Sequence, residues 1–279
     1  MTNVPIWKLN NGVEIPSLGF GVFKVKEGDE VFRSVLEALE AGYRLIDTAA
    51  IYGNEEGVGR AIKASGLKRE EIFVTTKLWN TDQGDSEKVT AAFETSLKKL
   101  GLDYVDLYLI HWPGKDKYVE TYKAMEKLYK DELVRAIGVC NFHNHHLEKL
   151  ISETEVVPAL NQIELHPLMN QKEIRDYCRD KGIQVEAWGP LMQGKGDLEA
   201  PVFVELSKKY KKSPAQIILR WHHQNDVLVI PKSVTPSRIR ENIDIFDFEL
   251  SPEDMEKIDA HNENRRLSAD PDTFMNGFE

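Results

Sequence analysis

Two cysteines in 279 residues, Cys140 and Cys178, are too few for a disulfide framework, and their scarcity points to a reducing compartment. No apolar run approaches the length of a membrane span. The opening "MTNVPIWKLNNG" lacks a basic segment followed by an apolar one, so no signal peptide is expected and the cytoplasm is the expected location. Positive charge is not in excess. The net charge of −10 argues against nucleic acid and anionic membrane as partners, although a local basic pocket for an anionic cofactor remains compatible with it. No Pro/Gly/Ser linker, low-complexity tract or internal repeat divides the chain, so residues 1–279 are expected to form one domain. A G-x-G-x-x-G phosphate turn is also missing: in "LGFGVFK" Lys24 stands where the third glycine would be, which excludes the Rossmann fingerprint.

What is present is an alternation. Short apolar runs occur at "SLGFGVF" (17–23), "RLID" (44–47), "EIFVTTK" (71–77), "YVDLYLIH" (104–111), "VRAIGVCN" (134–141), "PALNQIEL" (158–165), "IQVEAWG" (183–189) and "VLVIPK" (227–232). Between them lie amphipathic stretches of helical period, such as "DEVFRSVLEALEAG", "EKVTAAFETSLKKLG", "QKEIRDYCRDKG" and the long "PVFVELSKKYKKSPAQIILRWHHQ". Gly42, Gly66, Gly101 and Gly182 are placed as helix stops. Continuous apolar strands alternating with helices imply a parallel sheet covered by helices. Eight such units predict an α/β fold of (β/α)8 TIM-barrel type. The Asn-Gly in "PIWKLNNGVEIPS" predicts an N-terminal β-hairpin, placed at the barrel bottom.

In such a barrel the C-terminal strand ends gather around one mouth. The polar residues that end the runs are Asp47, Lys77, His111, Asn141, Gln162 with Glu164, Trp188 and Lys232, and Tyr52 lies in the loop after Asp47. Singly, each has a bland reading: a cap for Asp47, a solvated strand end for Lys77, core packing for Tyr52 and His111. Together Asp47, Tyr52, Lys77 and His111 form a chemical set. A phenol is too weak an acid near neutrality, a neighbouring ammonium lowers its pKa, and the buried ammonium needs the Asp47 carboxylate. A neutral His111 can orient a carbonyl oxygen. The set suits protonation of that oxygen while a hydride reaches its carbon, which calls for a nicotinamide cofactor.

At these residues the sequence resembles the aldo-keto reductase superfamily. "LIDTAAIYGNEEGVGRAI", "VTTKLWN", "LYLIHWP", "AIGVCNF", "NQIELHP", "IPKSVTPSRIREN" and "NENRRLSADPDTF" follow that family's segments in order over nearly the whole chain. The resemblance implies a catalytic tetrad of Asp47, Tyr52, Lys77 and His111, with Tyr52 as general acid. It implies that Asn141 and Gln162 hold the nicotinamide carboxamide and that Trp188 stacks on the ring. Gly189, Leu191 and Gln193 would meet the pyrophosphate, and Glu241 and Asn242 the adenine. Gly21, Val22, Phe23 and Val234 complete the expected cofactor set. "PKSVTPSRIREN" gathers Lys232, Ser233, Thr235 and Arg238 where a strand passes into a helix, a place that suits a phosphate. Two cations there favour the 2′-phosphate of NADPH over NADH.

Phe23, Trp79, His111 and Trp112 are the expected substrate contacts. The segment after "HWPGKDKY" and the C-terminal end are short beside the family's substrate loops, which suggests an open pocket. Cys140 replaces the serine common before the Asn and is given no catalytic role. "NFHNHHLEKL" has no carboxylate or cysteine at zinc-like spacing, so it is read as a solvated helix start and no metal is expected. The expected activity is NADPH-dependent reduction of aldehydes and ketones by a monomer, with dicarbonyls such as methylglyoxal as substrates. A keto-sugar acid such as 2,5-diketo-gluconate is the second choice, and an NADPH-binding redox-sensing subunit the third.

Overall fold

Asn11 and Gly12 make the tight turn that opens the fold. Gly12 has φ 84°, and the Asn11 side chain accepts from Val13 N at 3.2 Å. In the computed structural model, which describes residues 4–114, 117–275 and 277, this turn joins β1 (Ile6–Lys8) to β2 (Glu14–Pro16). The two strands pair antiparallel, with Trp7 opposite Ile15.

The eight apolar runs become β3 (Phe20–Gly21), β4 (Leu45–Asp47), β5 (Phe73–Leu78), β6 (Val105–Ile110), β7 (Val134–Cys140), β8 (Leu160–Glu164), β9 (Gln184–Trp188) and β10 (Val227–Val229). Each lies parallel to the next in chain order. Leu18 bridges in parallel to Val229, and Gly19 N donates to Val229 O at 2.8 Å, which closes the ring. At this seam a Cβ on Gly21 would lie 2.8 Å from Ile230 O, so the strands close only around glycine. The fold is the expected (β/α)8 barrel with an N-terminal hairpin.

The helices are α1 (Asp29–Ala41), α2 (Glu55–Ala64), α3 (Ser86–Leu100), α4 (Tyr118–Lys130), α5 (Asn144–Glu153), α6 (Lys172–Asp180), α7 (Pro201–Tyr210), α8 (Pro214–Gln224), α9 (Pro236–Ile243) and α10 (Pro252–Asp259). Gly42 and Gly101 end α1 and α3 in the left-handed region, as their positions suggested. The long stretch 201–224 is two helices, not one. Lys211 turns left-handed with φ 55°, Ser213 caps α8, and Pro214 at its first turn has no N–H to continue α7. Among the described residues, no helix is long and apolar enough to cross a membrane.

The core has two parts. One lies between sheet and helices. The other fills the lumen, where Leu45, Phe73, Leu107, Leu109, Leu160 and Leu228 pack over Leu9 and Ile15 of the hairpin. The hairpin therefore seals the bottom, each of these side chains contributing about 1.5–3 kcal/mol.

Candidate active site

The floor of the barrel mouth is a buried ion pair. Asp47 ends β4 and Lys77 lies near the end of β5; both are buried, and Lys77 Nζ donates to Asp47 Oδ1 at 2.6 Å and to Thr48 O at 2.9 Å. The strand end after Asp47 leads into a single 3-10 turn, Ala50–Tyr52, capped by Gly53 at φ 65°. That turn brings the Tyr52 hydroxyl over Lys77, at 3.5 Å from Nζ. His111, just past β6, stands edge-on to Tyr52 with ring centroids 5.6 Å apart. The four residues of the expected tetrad are thus brought together.

Burial sets their protonation. It pulls the Lys77 ammonium down, but Asp47, Tyr52 and Cys140 more than offset it and the group stays charged. Burial, then the Lys77 charge, hold His111 well below the usual imidazole range, so its ring is neutral. Its Nδ1 is buried and has no partner among the described residues. For Tyr52 the outcome differs from the expectation. Burial pushes the phenol above its ordinary value; Lys77 pulls it back, and Asp47 and Cys140 push it further up. Burial wins over the lysine, so the hydroxyl holds its proton.

A cleft of about 790 Å³ opens above this floor. Of the expected residues, Gly21, Phe23, Asp47, Tyr52, Trp79, His111, Trp112, Asn141, Gln162, Trp188, Gly189, Leu191, Gln193, Lys232, Ser233, Arg238, Glu241 and Asn242 line it. Lys77 lies beneath the lining. Val22 is fully buried, its N–H donating to Asp47 O and its carbonyl accepting from Asn54. Val234 and Thr235 lie outside the wall; Thr235 precedes α9, and its N–H donates to Ser233 Oγ at 3.0 Å. Lys232 and Arg238 have no carboxylate partner among the described residues. Asn141, Met192 and Gln193 hold φ values of 65°, 60° and 52°, and strained backbone of this kind clusters at binding sites.

The polar side chains in the wall are partly committed. Asn141 Nδ2 donates to His111 O at 2.9 Å and to Cys140 Sγ at 3.2 Å, and its Oδ1 accepts from Trp188 Nε1 at 2.8 Å. Both of its donors are used, so it retains one acceptor lone pair for a ligand and holds the Trp188 indole in place. Cys140 is buried, and burial raises its thiol well above the ordinary range, in keeping with a packing role.

Several wall residues escaped sequence reading. Ser213, the cap of α8, holds Glu241 Oε1 by a short hydrogen bond. Ser268, Ala269 and Phe274 come from the C-terminal segment, with Phe274 4.1 Å from Trp112 between ring centroids. Several contacts hold that segment, among them two at carboxylates. Buried Glu164 accepts from Leu267 N at 2.6 Å, and Asp272 sits among His143, His145 and His146 at 3.1, 3.2 and 3.6 Å.

This corrects the reading of "NFHNHHLEKL" as a solvated helix start: His146 is buried, and a carboxylate remote in sequence completes the cluster. The four ligand atoms lie within 4.8 Å of one another. The ring protons nevertheless face inward. His146 Nδ1 accepts from His143 N at 3.1 Å, and Arg266 Nη2 lies 3.4 Å from His143 Nε2. Both rings therefore present N–H to Asp272, beside the positive end of α5. The cluster is a carboxylate clasp.

Glu186 on β9 was also missed. It is fully buried, it accepts from Gln162 Nε2 by a short bond, and its Oε2 has no partner among the described residues. Burial, then Asp47, push its carboxyl up to about 8. An acid two residues before Trp188 in an apolar strand points to the same lumen face, and that was the available signal.

With this geometry in place, known proteins give a consistent match. The family described as "Aldo/keto reductase family" matches residues 17–263. The chain belongs to the aldo/keto reductase family. It is similar to the glyoxal reductase of Bacillus subtilis (strain 168), at 59% identity over 268 residues, covering 96% of each chain. It is 50% identical to methylglyoxal reductase DkgA of Escherichia coli (strain K12), covering 98% of this chain and 99% of that protein. A Bombyx mori aldo-keto reductase solved in complex with NADP superposes with a TM-score of 0.92 at 39% identity, covering 99% of each chain. This aldo/keto reductase is accordingly an oxidoreductase.

Proposed function

We propose that this chain reduces small aldehydes and dicarbonyls, methylglyoxal among them, to alcohols with NADPH, and that Tyr52 is the general acid. The observation that carries the reading is the buried Asp47–Lys77 pair beneath a protonated Tyr52, beside a neutral His111, on the floor of the cleft. The names of the glyoxal and methylglyoxal reductases support the substrate class. Apolar and aromatic Phe23, Ile51, Trp79 and Trp112 in the wall suit a small, weakly polar substrate.

The cleft fits a phosphorylated dinucleotide. The Trp188 indole lies in its wall, held by Asn141; Gln162 also lines it; Lys232 and Arg238 line it too and have no carboxylate partner among the described residues. When bound, the reduced nicotinamide supplies the hydride. Trp188 would hold the nicotinamide ring, Gln162 its carboxamide, and Lys232, Ser233 and Arg238 the 2′-phosphate. Tyr52 and His111 orient the carbonyl oxygen, and Tyr52 gives it a proton. Lys77 stabilises the phenolate left behind and Asp47 keeps that ammonium charged.

Loss of reduced-nicotinamide absorbance with methylglyoxal, a benzaldehyde and a diketo-gluconate in parallel tests the reading. Methylglyoxal should turn over best; NADPH bound without turnover on any of them would overturn the assignment of these small carbonyls as substrates. Lys232→Ala and Arg238→Ala should each weaken NADPH by about 10- to 100-fold while sparing NADH, the loss of a charged hydrogen-bond partner. Titration of both cofactors checks this, and equal losses would refute the 2′-phosphate site. Asp272→Ala should release Phe274 from Trp112 and raise KM for methylglyoxal by about 3- to 10-fold with little change in kcat. An unaltered KM would mean that the clasp does not shape the pocket.

A further inference from the structure

Gln162 has one amide group and two carboxyl groups competing for it. Its Nε2 donates to Asp47 Oδ2 at 2.8 Å and, by a short bond, to Glu186 Oε1. The orientation of the amide follows from its neighbours. Asp47 is the counter-ion of Lys77 and accepts only, so the NH2 end must face it. With both N–H groups consumed below, the Gln162 carbonyl oxygen is left for the mouth, where among the described residues it accepts from the Cys140 thiol at 3.7 Å. The chain of contacts runs Glu186–Gln162–Asp47–Lys77–Tyr52.

We propose that Glu186 is a positioning residue of this site: from beneath the mouth it shares the Gln162 amide with Asp47, and so fixes the Gln162 carbonyl oxygen toward the cofactor and keeps Asp47 on Lys77. The inference rests on the functional reading above and deepens it. Glu186 has no contact with the cleft, so it acts only through Gln162. In the ladder it lies between Gln162 on β8 and Leu228 on β10.

The same burial beside Asp47 predicts that ionisation of Glu186 at alkaline pH disturbs the site. The charged and titratable groups around it are Asp47 from β4, Lys77 from β5 and Cys140 from β7; β10 offers only apolar Leu228. Its carboxyl, raised to about 8, is neutral at neutral pH. A neutral carboxyl beside Asp47 adds no repulsion. Above pH 8 a second negative charge enters the lumen beside Asp47, pulls on Lys77 and raises the phenol of Tyr52 further. Glutamine at 186 has the shape of the protonated acid and never ionises.

Two variants test this. Glu186→Leu removes the acceptor and leaves Gln162 free to turn. Its affinity for NADP+, read by quenching of tryptophan fluorescence, should fall by roughly 3- to 10-fold, the loss of one hydrogen bond. Glu186→Gln should bind NADP+ like the parent protein at pH 7. The parent should lose affinity and turnover above pH 8, and Glu186→Gln should lack that fall. Unfolding midpoints across pH supply a readout free of cofactor. An acid with a raised folded pKa keeps its proton while the unfolded chain has lost it, so the parent loses stability as pH rises from its unfolded value toward 8. Glu186→Gln should flatten that fall. If the parent binds NADP+ but Glu186→Leu binds it equally well, or the pH profiles of parent and Glu186→Gln superpose, the positioning role is refuted and the reductase reading stands. If the parent itself binds no NADP+, both fail together.

Discussion

Tyr52→Phe should lower kcat for methylglyoxal by roughly 10²–10⁴-fold, the range for removal of a general acid, while NADPH affinity stays within about twofold. The split follows from geometry. The hydroxyl is the only atom removed; the ring keeps its contacts with Phe23 and His111 at 5.0 and 5.6 Å between centroids. The lost group is protonated in the free protein because burial outweighs the Lys77 charge, which suits a donor. No other protonated acid is as well placed. Burial and Lys77 keep His111 neutral, and Lys77 lies behind Tyr52. Steady-state kinetics with a parallel fluorescence titration check the prediction. Turnover equal to that of the parent would take Tyr52 out of the mechanism, and loss of both activity and binding would make its role structural.

Lys77→Met should abolish most turnover and also destabilise the fold by about 3–5 kcal/mol, the cost of leaving one member of a buried pair alone. Methionine matches the lysine stem, so packing changes little. What changes is Asp47, which is 2% exposed and whose carboxylate keeps Gln162 as its hydrogen-bond partner among the described residues. A carboxyl stranded there takes up a proton, as burial already raises it against the pull of Lys77. Its folded pKa, already raised in the parent, rises further, and the variant's deficit grows as pH climbs above the parent's folded pKa. Urea denaturation at several pH values measures this. Adding Asp47→Asn should recover part of the stability and none of the activity. A deficit that is flat in pH, or a double variant no better than the single, would show that the pair is not held by charge.

The local elements were legible in sequence because each rests on short-range physics. Continuous apolar runs gave the strands, Gly42 and Gly101 stopped their helices, and Asn11-Gly12 made the hairpin. Where a local signal was weighed too lightly the boundary was missed: Ser213-Pro214 divides the stretch 201–224, and Ser251-Pro252 begins α10. The tetrad was legible because its members fall near strand ends that a barrel brings to one mouth, and the motifs around them follow a known family.

Other features depended on contacts between residues remote in sequence. Asp272 meets His143 and its neighbours across 129 positions, so no spacing rule links them. Glu186 looked like an irregularity in an apolar strand until the ladder set it beside Gln162. Tyr52 carries the clearest distinction. The sequence identified the phenol and the ammonium beside it, and hence the sign of their interaction. How far each is withdrawn from water belongs to the folded state, and that desolvation decides where the proton resides. The sequence by itself determined the barrel, the family and the set Asp47, Tyr52, Lys77 and His111 that the fold brings together. The tertiary structure alone decided the protonation of the site, the clasp on the C-terminal segment and the second carboxyl beneath Gln162, because each arises from burial or from pairs that only the closed barrel brings into contact.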